Sequence, residues 1–239
     1  MKERNQILVV ILILLSIYAI IVSVTYYIPL NQQNVITSSI VGNNTNGTVY
    51  KTICGNTSSN DTVVLILGVH SFESGIHNAT NKTVLNLTKE NNLTKKYVVY
   101  FIKVNMNASG IDTEDYQTNR HMGELLANKY IVKDLIQYNP IAVVDVHEME
   151  AYWDPTEFIE VINTNSSLAN EYGHKLSNDT GIKEYTFTEG TSPEWVTIPI
   201  ANEGFNTIIF ETAQADSNSD KMKTAEKLIR SLDSFKIRK

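Results

Sequence analysis

Four apolar runs of strand length, separated by helix-like segments, constrain the fold of this chain of 239 residues most strongly. The runs are 62–69, 97–104, 141–146 and 207–210. β-Branched and aromatic residues dominate them and polar residues do not alternate with apolar ones, which is typical of strands buried on both faces. The helix-like segments are 74–87, 120–137, 166–176 and 221–235. This alternation predicts an α/β fold in which a mixed, mainly parallel sheet lies between helices.

Histidine and glutamate side chains follow three of these runs. His70 and Glu73 come after the first run, His147 follows the third, and Glu211 follows the fourth. Open α/β sheets bind ligands outside the carboxyl ends of their strands. We therefore expect the two histidines and the two glutamates to meet in one crevice.

His70, Glu73 and His147 form a candidate metal-ligand set. Neutral imidazoles and carboxylates are good zinc ligands, and a catalytic zinc ion keeps three protein ligands and one open position. A histidine and a glutamate three residues apart are common by chance, so that pair alone is weak support. A second interpretation of His147 is a strand-end histidine hydrogen-bonded to Asp145 or Glu148.

Asn119, Arg120 and Glu211 are candidates for substrate binding and proton transfer. A guanidinium binds a carboxylate through two parallel hydrogen bonds and stays charged at any working pH, although Arg120 could also be a surface residue that opens a helix. Glu211 follows three apolar residues, and desolvation there would raise its pKa towards that of a general base. The alternative for Glu211 is a solvated glutamate at a strand end.

The N-terminus carries an uncharged apolar run over 7–24, and the uncharged stretch continues to residue 30. About 20 such residues span a bilayer as a helix, so we predict one transmembrane signal-anchor helix over 7–28. A cleaved signal peptide is the alternative, but its apolar region is usually about 7–15 residues. Lys2 and Arg4 precede the run and the next basic residue is Lys51, which predicts a cytoplasmic segment 1–6 and an extracytoplasmic remainder.

The rest of the composition agrees with an exported domain. Residues 29–60 are rich in Asn, Ser and Thr, which predicts a stalk, with one possible strand at 48–53, ahead of a catalytic domain over 61–239. Cys54 is the single cysteine, so an intrachain disulfide and a thiolate metal cluster are excluded. The net charge of −6 argues against a nucleic-acid partner. Asn-x-Ser/Thr glycan acceptors, which suit an exposed glycoprotein surface, occur at Asn43, Asn46, Asn56, Asn60, Asn78, Asn81, Asn86, Asn92, Asn107, Asn165 and Asn178.

The order His-x-x-Glu, Asn-Arg, His, Glu resembles the zinc carboxypeptidase superfamily, which includes the succinylglutamate desuccinylase and aspartoacylase branch. The string 68–73, Gly-Val-His-Ser-Phe-Glu, and the string 144–147, Val-Asp-Val-His, carry the likeness, which runs from 62 to 211. The resemblance implies that one Zn²⁺ ion is held by His70, Glu73 and His147. It also implies that Asn119 and Arg120 bind a substrate carboxylate and that Glu211 is the general base.

The chain departs from the family pattern at three points. Phe72 stands where an arginine often follows in the metal motif. Gln117 replaces an aspartate two residues before the Asn-Arg pair, and no arginine lies between Glu73 and Asn119 to stabilise an oxyanion, a role that Lys103 or the zinc ion could take. Tyr152 and Tyr185 both fall in the interval of the family's substrate-clamping tyrosine.

Location separates the candidate functions. An extracytoplasmic anchor suits a carboxypeptidase that trims exported or cell-wall peptides by cleaving an amide next to a free carboxylate. The alternatives are an N-acyl amino acid deacylase and a non-catalytic surface glycoprotein with the same fold.

Overall fold

The computed structural model describes residues 11–23, 35–105, 113–163, 165–188 and 192–236. The chain divides into two units, Met1–Asn34 and Val35–Lys239. In the first unit, residues 11–23 form helix α1. Within the described ranges, no helix has both the length and the hydropathy needed to cross a membrane. The predicted span 7–28 extends beyond the described residues at both ends.

The second unit is built on a seven-stranded sheet. Its strands are β1 (Thr37–Asn44), β2 (Gly47–Gly55), β3 (Thr62–Leu67), β4 (Lys96–Val104), β5 (Ala142–Met149), β6 (Phe158–Val161) and β7 (Thr207–Ala213). Their order across the sheet is β1-β2-β4-β3-β5-β7-β6. The four strands β4, β3, β5 and β7 are parallel. The antiparallel hairpin β1–β2 extends one edge, and β6 pairs antiparallel with β7 at the other.

Helices cover both faces of this sheet. They are α2 (Ser74–Lys89), α3 (Thr113–Leu126), a π-helical turn (Ala127–Ile131), α4 (Val132–Leu135), a 3₁₀ turn (Ile136–Tyr138), α5 (Ser167–Thr180), a second π-helical turn (Pro193–Thr197), α6 (Ile198–Asn202) and α7 (Asn218–Ser234). Successive residues of a strand point to opposite faces, so Leu65 of β3 packs with α2, α5 and α7. Val64 and Ile66 pack with α3, its π-helical turn and α6 on the other face. The mixed α/β fold predicted from the apolar runs is confirmed.

The prediction of a stalk is wrong over residues 37–55, because this segment forms β1 and β2 of the main sheet. β1 is an edge strand with mostly exposed side chains, so a polar composition is compatible with its position. The predicted strand at 48–53 is the centre of β2, which pairs along its whole length with β4. The globular unit therefore begins at Val35 and not at residue 61.

Helix α3 begins at Thr113, seven residues before the predicted start of that helix. Its first two turns, Thr-Glu-Asp-Tyr-Gln-Thr-Asn, are nearly all polar. Because they lack apolar periodicity, the apolar pattern in the sequence starts later than the helix itself. Asn119 and Arg120 thus lie within the helix and do not precede it.

Candidate metal centre

Three elements bring the predicted metal ligands to one edge of the sheet. β3 ends at Leu67, and the turn that follows carries His70 to the N-terminus of α2, where Glu73 occupies the cap position. His147 lies in the neighbouring parallel strand β5, close to the strand's carboxyl end. All three residues are buried.

The carboxylate of Glu73 lies between the two imidazoles. Its Oε1 is 2.8 Å from Nδ1 of His70, and its Oε2 is 2.8 Å from Nδ1 of His147. The ring centroids of the histidines are 4.6 Å apart. One potential ligand atom of each of the three residues lies within 4.8 Å of the others, which is close enough for a single ion to reach all three.

The chemistry behind the imidazoles also fits a zinc ion. Nε2 of His70 is 3.2 Å from Oε1 of Glu124, and Nε2 of His147 is 3.0 Å from Oδ2 of Asp145. Histidines that bind metals usually donate their second ring N–H to a carboxylate, which fixes the ring and leaves the other nitrogen to face the metal. Both histidines have this arrangement, with Nδ1 towards Glu73, so the residues present fit a zinc ion.

Charge balance ties these groups together. Burial opposes ionisation of Glu73, but His70 and His147 outweigh it and hold the pKa of the carboxyl well below its usual range. Burial likewise disfavours the cationic form of His147, yet Asp145 and Glu73 raise the pKa of this imidazole well above its usual value. The carboxylates of Glu73 and Asp145 thus favour a positive charge on His147, and the same negative groups would attract a metal cation.

Glu211 lies beside this cluster on β7. It is the register partner of His147 in the parallel pair β5–β7, and its side chain lines the cavity that His70, Glu73 and His147 also line. Its Oε2 atom is buried and has no hydrogen-bond partner among the described residues. Burial raises the pKa of Glu211 to about 8, with Glu73 and Asp145 adding to the shift and His147 opposing it. Such a carboxyl group is able to take up a proton near neutral pH.

Helix α3 supplies the guanidinium of the site. The NH1 group of Arg120 donates to Oε1 of Glu73 at 2.8 Å, and Arg120 lines the cavity together with Gln117, one turn earlier in the helix. Asn119 is only 2% exposed and, among the described residues, is not one of those that line this cavity. The structure thus brings Arg120 but not Asn119 to the cavity wall.

Several residues of the site have no recognisable sequence motif. Glu124 is 54 positions away from His70, and the hydroxyl of Ser192 lies 3.1 Å from Oδ2 of Asp145 and 3.3 Å from Nε2 of His147. Only the helical spacing from Arg120 to Glu124 could have drawn attention to the latter, because residues four apart share a helix face.

The structure distinguishes among the other residues that the family resemblance suggests for substrate binding. Tyr152 lines the cavity, whereas Tyr185 packs on the Phe158 ring and is not among the described lining residues. The ammonium group of Lys103 lies over the ring of Tyr50 on the neighbouring strand β2, so within the described residues Lys103 does not belong to the site.

Comparison with solved structures identifies the fold. No protein-family model and no curated protein matches the sequence. A metallo-carboxypeptidase from Burkholderia cenocepacia superposes with a TM-score of 0.54 at 9% identity, over 87% of this chain and 66% of that one. A provisionally assigned carboxypeptidase from Burkholderia mallei gives 0.57 at 8% identity, over 89% and 67%. A provisionally assigned metallopeptidase from Shewanella amazonensis gives 0.52 at 11% identity, over 82% and 85%.

These likenesses confirm the carboxypeptidase-like fold that the motif order predicts. The chain spans about two thirds of the length of the two Burkholderia proteins. At these identities the likeness concerns the fold.

Proposed function

We propose that this chain is a zinc-dependent metallocarboxypeptidase-like hydrolase that cleaves an amide next to a free carboxylate. One observation carries the proposal: His70, Glu73 and His147 lie within reach of one ion, and Glu211 lines the same cavity from the adjacent strand. One Zn²⁺ ion held there would supply Lewis acidity towards the scissile carbonyl and towards water.

Glu211 acts as the proton carrier in this proposal. A carboxylate at this position takes a proton from the attacking water and returns it to the nitrogen of the leaving amine. Its unpartnered Oε2 atom suits this role, because no hydrogen bond from the described residues has to break before a proton is accepted.

Arg120 holds the substrate carboxylate in the proposed complex. A guanidinium carries five N–H donors, so its contact with Glu73 does not by itself prevent a second contact with a substrate. The same contact with Glu73 sets the distance between the bound carboxylate and the ligand cluster. Asn119 stays a predicted partner of this carboxylate.

We further propose that the protein is anchored by a membrane helix over 7–28, with the hydrolase domain outside the cytoplasm and its substrate an exported peptide. This part of the proposal rests on the uncharged run 7–24, on Lys2 and Arg4 before it, and on the eleven glycan acceptor motifs after it.

Zinc content and peptide digestion test the proposed activity together. We expect the zinc-loaded protein to release the C-terminal residue from peptides with a free C-terminus and not from their amidated forms. Hydrolysis of N-acyl amino acids alone would assign the chain to the deacylase alternative. A protein that binds no zinc and cleaves neither substrate class would overturn the proposal in favour of a non-catalytic surface protein.

The variant Glu211→Gln tests the role of the proton carrier. We expect it to keep its zinc and to lose turnover by a factor on the order of 10² to 10⁴, whereas His147→Ala loses both. Glu203→Gln, which neutralises an exposed carboxylate four residues before β7, is the matched control and keeps both. Undiminished turnover in Glu211→Gln would reject its assigned role.

A further inference from the structure

A second buried carboxylate, Glu160 on β6, lines the cavity and has no part in the proposed mechanism. Phe158 and Glu160 are two residues apart in the strand, so both side chains point to the same face of the sheet. Glu160 is 8% exposed, which is unusual for a glutamate that has no ion-pair partner.

The register of β6 against β7 fixes where Glu160 lies relative to Glu211. Phe158 pairs with Glu211, and Glu160 pairs with Ile209. Glu160 and Glu211 are therefore diagonal neighbours on one face of the sheet, and such neighbours are about 7–8 Å apart. A substrate group bound at Glu160 would lie about one side-chain length from the proposed proton carrier.

The carboxylate of Glu160 is incompletely satisfied. The backbone N–H of Phe187 donates to it, but its buried Oε2 atom has no hydrogen-bond partner within the described part of the chain. No salt bridge formed by the described residues includes it. Burying a carboxylate without a cation or a full set of donors is costly, and burial raises the pKa of Glu160 to about 7.

Aromatic rings line the cavity together with this carboxylate. The ring of Phe187 stacks on Phe158 with centroids 5.3 Å apart and meets Trp153 edge-on at 5.4 Å, and all three rings line the cavity with Glu160. Aromatic faces attract cations, and they also cover the methylene stem of a long basic side chain. A neutral, purely apolar group would bury the Glu160 oxygen further without giving it a partner.

We propose that Glu160 makes this site selective for a substrate residue with a cationic side chain, an ammonium or a guanidinium group, bound beside Glu211. The proposal rests on the proposed amide hydrolysis and adds the class of substrate to it. Glu160 contacts the substrate side chain and takes no part in proton transfer.

Two peptides that differ only in the terminal ammonium group of one side chain provide the test. Acetyl-alanyl-lysine and acetyl-alanyl-norleucine have the same four-carbon stem, and only the first carries an ammonium group. Their binding to the zinc-loaded Glu211→Gln protein is measured by titration calorimetry, and their hydrolysis by the zinc-loaded wild-type protein as kcat/KM. We expect the lysine peptide to be preferred by about tenfold or more in both measurements, since a desolvated polar site discriminates strongly against a ligand that leaves it unpaired.

Two variants of Glu160 and one control identify the source of the preference. Glu160→Gln should bring the lysine-to-norleucine ratio close to one, and Glu160→Leu should reverse it in favour of norleucine. Glu157→Gln removes the same charge from an exposed position three residues earlier and should leave the ratio unchanged. If Glu157→Gln lowered the ratio as much as Glu160→Gln, a long-range field and not a contact would be responsible, which would overturn the proposal.

The outcomes separate this inference from the proposed function. Equal hydrolysis of the two peptides by the wild-type protein would overturn the selectivity and leave the hydrolase proposal standing. Lysine-selective binding that depends on Glu160, without hydrolysis of either peptide, would support the selectivity and reject the hydrolase. Failure to bind either peptide would overturn both.

Discussion

At the scale of single residues, burial decides the chemistry of the one thiol in the chain. Cys54 lies in β2, fully buried, and not in a stalk as its polar surroundings in the sequence suggest. Burial raises the pKa of its thiol to about 11, against a small opposing effect of Thr88. The thiolate is the reactive form, so this cysteine should be inert and should not bridge to another chain while the sheet is intact.

We predict that iodoacetamide modifies Cys54 at pH 8 at least about 100-fold more slowly in the folded protein than in urea. The ordinary pKa of 9.0 leaves about a tenth of the thiol ionised at pH 8, whereas a pKa of about 11 leaves about a thousandth. The modified fraction is measured by mass spectrometry, and the single cysteine makes the reading unambiguous. The native rate should keep rising with pH above 9. Equal rates with and without urea would mean that β2 does not stay paired with β4.

At the scale of elements, one close contact fixes α3 against the sheet. A Cβ atom added at Gly123 would overlap the carbonyl oxygen of Val69, which belongs to the turn between β3 and His70. A backbone atom cannot swing aside as a side chain can. This approach lets Arg120 reach Glu73 and Glu124 reach His70.

We predict that Gly123→Ala destabilises the protein by about 1–3 kcal/mol and weakens zinc binding. In a solvent-exposed helix the same change would stabilise the protein by up to about 1 kcal/mol through helix propensity. A loss of stability would therefore indicate the contact between Gly123 and Val69. Urea unfolding and zinc titration measure the two effects. Thr118→Ala, at an exposed position of the same helix, is the control and should not destabilise. A stabilised Gly123→Ala protein would show that α3 does not lie against Val69.

The elements differ in how far their sequence determines them. Strands β3 and β5 are buried along their whole length, so their apolar runs alone predict them, and with them the positions of His70 and His147. β6 has four residues and is held by antiparallel pairing with β7, a long-range contact that local periodicity cannot predict. Local periodicity therefore gives no signal for Glu160. It gives none for Glu124 either, because the role of Glu124 depends on the close approach of α3 to the sheet at Gly123.

Across the fold as a unit, the candidate metal ligands connect elements that are far apart in the sequence. His70 and Glu73 both lie just before the first residue of α2, and His147 lies 74 positions after Glu73 in β5. Hydrogen bonds of Glu73 to His70 and to His147 also join the start of α2 to β5. An ion that binds all three only in the folded state would stabilise the molecule as a whole, because unfolding separates its ligands.

We therefore predict that removing zinc with a chelator lowers Tm by about 10 °C and that added zinc restores it. Free zinc at about 1,000 times its Kd stabilises the folded state by about 4 kcal/mol, and about 1 kcal/mol corresponds to about 2–4 °C in a domain of this size. Magnesium should not substitute, because it prefers oxygen ligands in octahedral geometry. The shift should disappear in His147→Ala and persist in His174→Ala, which removes an exposed histidine. A zinc-dependent shift in His147→Ala equal to that of the wild-type protein would mean that the ion binds elsewhere, and the junction of β3, α2 and β5 would then be held by hydrogen bonds alone.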